Sequence, residues 1–304
     1  MNLIPFSPIE TFCLKNTSPH TQSTYRRVLR EFFGYLKISD PREVKPEHVI
    51  QWRDALQARK QKPATINLKL GVVRSLYEYL LQSGQVARNP AHTKLVRVFA
   101  LPETITGRVL EDWEVKRLLA APHKDKVEGQ RDYCIFLIML RMALRVSEVC
   151  SLRQNSLRWT RDGWVIELKV KGGRQRLLPL PGDVKREIDR YLQLDQRRRV
   201  IQHSDNEDSA IFQPVVNYAT LVYNKPLTPR QVQRLLAKWA SYVGLKKITP
   251  HDLRRTAITK ALDQGIPYRE VQMMSGHKDP KTVMRYDHHR ENLARNPIHS
   301  LKYD

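Results

Sequence analysis

The chain has 304 residues, 41% hydrophobic and 28% charged, too long for one small core and too apolar for a disordered or fibrous protein, so two globular domains are expected. Lysine and arginine number 53 against 31 acidic residues, a formal net charge of +22. A surplus of that size repels itself unless the working partner is a polyanion or an anionic surface, which makes nucleic acid the leading partner class.

Both ends of the chain are basic, 16 lysines and arginines against 7 acids in the first hundred residues and 37 against 24 in the rest, as expected of a protein that meets phosphates along its length. Ser18 before Pro19 marks a helix start, a capping hydroxyl followed by proline at the first helical position. Tyr25, Val28, Leu29, Phe32, Phe33 and Leu36 then recur at helical spacing. Arg26, Arg27 and Arg30 occupy the remaining surface, either facing DNA or simply solvated. A second helix is predicted from Pro46 with Val49, Trp52 and Leu56 inward. A third runs from Pro63 through Ile66, Leu70, Val73, Tyr77 and Leu80 until Gly84. Lys69 and Arg74 on this helix join the three arginines as expected DNA contacts. Residues 1–92 are thus expected to form one helical domain. Residues 93–107, where Thr93, Pro102, Thr104, Thr106 and Gly107 interrupt the pattern, read as a linker to a second domain over 108–304.

That second domain opens with a helix around Glu111, carrying Trp113, Val115, Leu118 and Leu119, and the apolar run 133–142 reads as a buried helix at its centre. Asp162 and Gly163 signal a turn. Trp164, Ile166, Leu168 and Val170 then alternate with polar neighbours as a strand, and Gly172 with Gly173 turns the chain into a partner strand over 174–180, leaving Lys171 at the hairpin tip. Residues 202–209 read as a surface loop, and Ile211 with Phe212 as a short apolar return. Thr228, Thr249 and Asp279 each precede a proline, so three further helices have well-marked starts, and Gly244, Gly265 and Gly276 sit at C-terminal ends. The fold class expected is mainly α with a small antiparallel β-sheet. Cys13, Cys134 and Cys150 are odd in number and lack Cys-x-x-Cys spacing, which argues against a disulfide framework or a cysteine zinc site and fits a reducing cytoplasm. No apolar run approaches the roughly 20 residues of a membrane span, and the N-terminus has no basic region ahead of an apolar stretch, so neither membrane insertion nor secretion is expected.

Three places carry residues suited to chemistry. His251 and Arg254, three apart, share a helix face near an N-terminus that already favours an anion. Asp252 reaches back to Thr249 as a capping residue and needs no catalytic role. Arg145 arrives at the end of the apolar helix and needs a partner, for which Glu148 stands three positions on; the pair is either a brace between helices or part of a site. Tyr286 follows His277 by nine residues, on the helix opened by Asp279 and Pro280.

Taken together, Arg145, Lys171, His251, Arg254, His277 and Tyr286 resemble the tyrosine recombinase (phage integrase) family in identity, order and spacing, in the manner of a Xer-like two-domain site-specific recombinase. LRVSEV matches the first arginine box, KGGRQRLLPL the lysine hairpin, TPHDLRRT the second arginine box and MSGHKDPKTVMRYDHH the histidine and nucleophile box. One departure is Ala143, where the family commonly has glycine before Leu-Arg. The resemblance implies an N-terminal helical core-binding domain and an α+β catalytic domain. It also implies attack of Tyr286 on a DNA phosphodiester to give a 3′-phosphotyrosyl link and a free 5′-hydroxyl, resolved through a Holliday junction. Arg145, Arg254 and His277 would hold the non-bridging oxygens, His251 would assist, and Glu148 would orient the arginines. Lys171 would protonate the leaving oxygen, with Lys169 and Arg174 nearby as alternatives. The implied partners are double-stranded target sites and a homo-tetramer on two duplexes, with room for an accessory directionality protein. No cofactor, metal or membrane is implied, and the location is cytoplasmic and nucleoid-associated, in a prokaryote or mobile element. Leu293, Ile298 and Leu301 would form a terminal segment docking on a neighbouring protomer.

A type IB topoisomerase would use the same tyrosyl chemistry but rejoin the original strand, and a DNA-binding regulator would keep the fold without the chemistry. A metal-dependent nuclease built on Asp287, His288 and His289 is disfavoured, because adjacent histidines point in different directions on a helix.

Overall fold

Two stretches of periodic apolar sequence, one before and one after residue 100, imply two separate cores. The computed structural model, which describes residues 8–101, 107–169, 175–195, 209–215 and 225–287, divides the chain into units Met1–Pro102 and Glu103–Asp304. Val170, Lys171, Gly172, Gly173, Arg174, His288, His289, Leu293, Ile298 and Leu301 lie outside the described residues.

The N-terminal unit is built from α1 (Pro8–Leu14), α2 (Pro19–Leu36), α3 (Pro46–Ala58) and α4 (Pro63–Gln82). The Ser18 side chain accepts from the Thr21 backbone N–H, as its place before Pro19 predicts. Val28, Leu29 and Phe32 of α2 meet Val49, Trp52 and Leu56 of α3 and Ile66, Leu70, Val73, Tyr77 and Leu80 of α4 in one core. Trp52 presents its ring to the edge of Phe32 at 4.9 Å between centroids. Helix α1 is too short to show a period in sequence, yet it buries Phe12 and Cys13 completely.

Three of the five basic residues expected on DNA are engaged inside this unit. Arg26 forms an ion pair with Glu10 and ties α1 to α2. Lys69 lies 2.6 Å from Glu31 and ties α4 to α2. Arg74 donates from Nε to the Ala91 carbonyl at 2.9 Å, and burial pulls its pKa below the ordinary arginine value. Arg26, Lys69 and Arg74 thus each have a partner within the unit, the Glu10 and Glu31 carboxylates and the Ala91 carbonyl. Arg27 and Arg30 are exposed.

The expected linker also begins later than its sequence suggests. Ala91 and Val96 are buried in the N-terminal core. Asn67 clamps Phe99 from both sides, its Nδ2 donating to the Phe99 carbonyl at 2.8 Å and its Oδ1 accepting from the Phe99 N–H at 2.9 Å. Isolated apolar residues in an irregular segment show no periodicity, which is why their burial is invisible in the sequence.

In the second unit α6 (Val127–Met142) is the central helix, buried along most of its length as its apolar run predicts. Around it stand α5 (Asp112–Ala120), α7 (Val146–Cys150), α8 (Gly182–Leu194), α9 (Pro229–Tyr242), α10 (Pro250–Asp263), α11 (Tyr268–Ser275) and α12 (Pro280–Met284). A sheet of β1 (Leu157–Thr160), β2 (Gly163–Lys169) and β3 (Gln175–Pro179) is antiparallel in that order. The register pairs Ile166 with Leu178 and Leu168 with Arg176, so these four side chains share the inner face. Thr228, Thr249 and Asp279 all cap their helices by accepting a backbone N–H, and Gly244, Gly265 and Gly276 all have positive φ. The fold is mainly α with a small antiparallel sheet.

Removing the Asn67 clamp tests the assignment of residues 97–99 to the N-terminal unit. Asn67→Ala leaves the Phe99 amide and carbonyl without their side-chain partner and should cost about 1–2 kcal/mol. Amide exchange should accelerate over residues 97–99 far more than in α2.

Candidate active site

Helix α6 ends on Ala143, which takes the left-handed conformation at φ 50, so the turn into the first arginine box is made without a glycine. Leu144 is fully buried and anchors the strand of chain that delivers Arg145 to the N-cap of α7. Glu148, three residues on, accepts the Arg145 backbone N–H at 2.8 Å and its Nη1 at 2.9 Å. Nη2 of Arg145 donates to the Gly276 carbonyl at 3.4 Å. Arg145 thus braces two elements while keeping 41% of its side chain exposed, whereas Glu148 is buried.

Helix α10 supplies His251 and Arg254. Asp252 accepts the Thr249 N–H at 2.8 Å and completes the capping box. It also holds Arg255 at 3.2 Å, so its role is structural. Arg254 is 2% exposed and points into the unit. Its Nη1 donates to the Ala143 carbonyl, and its Nη2 donates to the Ser275 carbonyl at 2.7 Å and lies 3.1 Å from His277 Nε2. His251 occupies the exposed side of the same first turn.

Gly276 ends α11 with φ 66 and turns the chain so that His277 faces Arg254. A side chain here would be strained by the positive φ and would force the Arg176 guanidinium to move, since a Cβ would come 1.7 Å from its Nη1. The His277 ring stacks on Tyr286, with centroids 5.7 Å apart and planes at 28°. Tyr286 is 2% exposed and packs with Ala143, Ile258, Ala261, Val271 and Val283. The structure therefore brings Arg145, Glu148, Arg254, His277 and Tyr286 into one continuous set of contacts, with His251 within electrostatic reach of Arg254 and Arg145. A groove of about 1060 Å³ opens beside them, lined by Arg141, Arg176, Arg269, Gln272, Gly276 and His277 among others.

Two residues of this set are missing from the sequence reading. Arg176 lies on the inner face of β3, 3.7 Å from Glu148, and none of its three buried guanidinium nitrogens has a hydrogen-bond partner among the described residues. The period-two alternation with Leu178 marks it as an inward-facing arginine, a signal present in the strand sequence but easily lost beside the basic run that precedes it. Ser275 is fully buried and its Oγ lies 2.9 Å from His277 Nδ1. A small hydroxyl at a helix end carries no pattern that would single it out.

Positive charge crowds the site. Burial, and then Arg145, pull Arg254 down to about 10. Burial lowers Arg176 as well. Burial followed by Arg254 and Arg145 drives His277 down to about 4, and His251 is lowered by partial desolvation of its otherwise exposed ring followed by Arg255 and Arg254. Both imidazoles are neutral at pH 7, so the cluster offers guanidinium donors and neutral rings around a phenol. Such a set can hold an oxyanion and place it beside a nucleophile. No group of three or more His, Cys, Asp or Glu side chains among the described residues is arranged to hold a metal ion.

The depressed value of His277 carries a pH signature. The unfolded chain, with the ordinary value of 6.5 against about 4 in the fold, binds more protons between these limits, so stability is full above about pH 6.5 and is lost as pH falls toward 4. Denaturant unfolding of the catalytic unit at pH 7 and pH 5 should show this loss, and His277→Gln should make it smaller.

Comparison with known proteins agrees with this geometry. Residues 108–292 match the phage integrase family, and residues 12–84 match the phage integrase N-terminal SAM-like domain. Tyrosine recombinase XerC of Thermodesulfovibrio yellowstonii is 30% identical over 279 residues, covering 90% of this chain and 87% of the relative. Tyrosine recombinase XerD of Lacticaseibacillus casei is 32% identical over 275 residues, covering 88% and 87%. Among solved structures, the XerH site-specific recombinase bound to palindromic difH substrate, a post-cleavage complex, superposes with a TM-score of 0.71 at 16% identity, over 97% of this chain and 84% of that one. A lambda integrase dimer bound to a COC′ core site gives 0.66 at 14% identity, over 97% and 95%. At those identities the solved structures bear on the fold, while the family match spans the arginine, histidine and tyrosine boxes. The chain belongs to the phage integrase family, the tyrosine recombinases.

Proposed function

We propose that this chain carries out site-specific recombination by cleaving and rejoining DNA strands, with Tyr286 as the nucleophile. The observation that supports this best is the unbroken contact from the Tyr286 ring to His277 and from His277 to Arg254, which sets a phenol beside fixed phosphate-binding donors. The Tyr286 oxygen bonds to phosphorus as the bond from phosphorus to the 5′-oxygen breaks, giving a 3′-phosphotyrosyl linkage and a 5′-hydroxyl. The phenol, with an ordinary pKa near 10, gives up its proton as it attacks, and neutral His251 is available to accept it. Arg145, Arg254 and His277 hold the non-bridging oxygens, each contact being worth roughly 3 kcal/mol of barrier. Glu148 keeps Arg145 in place. Lys171 delivers the proton that the departing 5′-oxygen needs.

The phosphotyrosyl linkage keeps the energy of the phosphodiester, so a 5′-hydroxyl from a second strand reverses the step without a cofactor. Exchange between duplexes follows from that reversibility, with four copies of the chain on two double-stranded sites and with an accessory protein setting direction. Within the N-terminal unit the exposed Arg27 and Arg30 are the phosphate contacts. The working location is the cytoplasm, at the nucleoid.

A library of nicked duplexes, in which the cleaved end diffuses away, should trap the chain on DNA through Tyr286, and sequencing the attached strands yields the target. Tyr286→Phe should abolish the adduct and leave binding to the recovered duplex nearly unchanged. Lys171→Ala should slow cleavage of that duplex by about 10²- to 10⁴-fold. Replacing the bridging 5′-oxygen by sulfur, which departs without a proton, should restore most of the rate. Adducts that persist in Tyr286→Phe would remove the phenol from the mechanism.

A further inference from the structure

His277 is held at both ring nitrogens, and the two partners differ in what they can do. Nε2 faces Arg254 Nη2 at 3.1 Å. A guanidinium has only donors, so Nε2 must be the acceptor and the imidazole proton must sit on Nδ1. Nδ1 faces Ser275 Oγ at 2.9 Å, so the serine hydroxyl accepts here and directs its own proton to the Gln272 carbonyl at 3.4 Å. In this arrangement His277 has no proton to offer a phosphate through Nε2.

A phosphate oxygen replacing His277 as a partner of Arg254 reverses the requirement. Nε2 must then donate, Nδ1 must accept, and whatever faces Nδ1 must become a donor. A carbonyl cannot make that change and a guanidinium or ammonium cannot make the opposite one. A hydroxyl does both by rotating about one bond. We propose that Ser275 is a positioning residue that sets the tautomer of His277, accepting from Nδ1 in the DNA-free chain and donating to Nδ1 when a phosphate occupies the site. The proton on Nδ1 is lost and one is gained on Nε2, the net change being a tautomer shift with no change of charge.

The surroundings hold Ser275 to this task. It is 0% exposed, so water does not compete for Oγ. Its carbonyl accepts from Arg254 Nη2 at 2.7 Å, which fixes the serine against the same guanidinium that selects the tautomer. Gln272, one turn earlier on α11, donates from Nε2 to the His277 carbonyl at 2.9 Å and holds the backbone that carries the ring. The inference rests on the recombinase reading only for its second half; the DNA-free tautomer follows from the contacts alone.

The test reads ring-nitrogen shifts in the full chain labelled with ¹⁵N-histidine, the His277 signals being identified by their loss in His277→Gln. Without DNA, Nδ1 should show the protonated shift and Nε2 the bare one. A proton on Nε2 in the DNA-free chain overturns the proposal, and this measurement needs no altered Ser275. On Tyr286→Phe bound to the duplex recovered by trapping, the two shifts should exchange; unchanged shifts there overturn it equally. Ser275→Ala should slow formation of the covalent adduct by about 10-fold or more while duplex affinity holds, and a wild-type rate in that variant counts against the proposal. Absence of any adduct from the unaltered chain would instead defeat the recombinase reading and leave the DNA-free tautomer standing.

Discussion

A guanidinium buried to 2% exposure is the constraint on which the catalytic unit turns. Arg254 is taken out of water at a cost of several kcal/mol, and a buried arginine is ordinarily held by a carboxylate. Here its hydrogen bonds go to the carbonyls of Ala143 and Ser275, which stand at the C-terminal ends of α6 and α11. Helix C-termini carry partial negative charge, so the cation is stabilised by two helix ends without being neutralised. It keeps its charge available while fixing the relative positions of three helices. The carboxylate that is present, Glu148, is bonded to Arg145 instead.

The site also tolerates an unfavourable charge balance. Arg145, Arg176 and Arg254 approach one glutamate, and burial together with the nearby Arg145 lowers the proton affinity of both Arg254 and Arg176. Arg176 goes furthest, with three buried nitrogens and no hydrogen-bond partner among the described residues. Under the proposed function a phosphate diester would supply negative charge to these guanidinium groups, and the two neutral imidazoles do not add to their repulsion. Gly276 belongs to this economy of space, since its bare Cα is what lets the Arg176 guanidinium lie against the turn before His277.

Much of this was legible from local chemistry. Ser18, Thr228, Thr249 and Asp279 each announce a helix because a capping oxygen and a proline are needed at adjacent positions, and long amphipathic runs such as α4 declare both their limits and their inner face. The residues that escape notice are those whose role is set by tertiary contact. Helix α1 and strand β1 are too short for a period to develop. Ala91 and Val96 are buried from an irregular segment. Lys69 and Arg74 look like solvent-facing cations until Glu31 and the Ala91 carbonyl are found beside them. Arg145, Arg254, His277 and Tyr286 were legible only jointly, because each alone has an ordinary structural explanation. Ser275 had no signal at all, since its part depends on which atom of which ring lies 2.9 Å away.

Ala143 shows how the turn geometry survives a change of residue. A left-handed conformation costs an L-residue roughly 1–2 kcal/mol relative to its usual regions, and glycine would avoid that cost. Alanine is retained with its methyl fully buried against Ile258, Val271 and Tyr286, and burying one such carbon returns about 0.8 kcal/mol. The two effects are of similar size, so packing can offset most of the strain. What the position cannot give up is the direction of its carbonyl, which the left-handed turn aims at Arg254. The turn that precedes the first arginine is thereby coupled to the second, and the constraint acts on the backbone conformation, which alanine meets here in place of glycine.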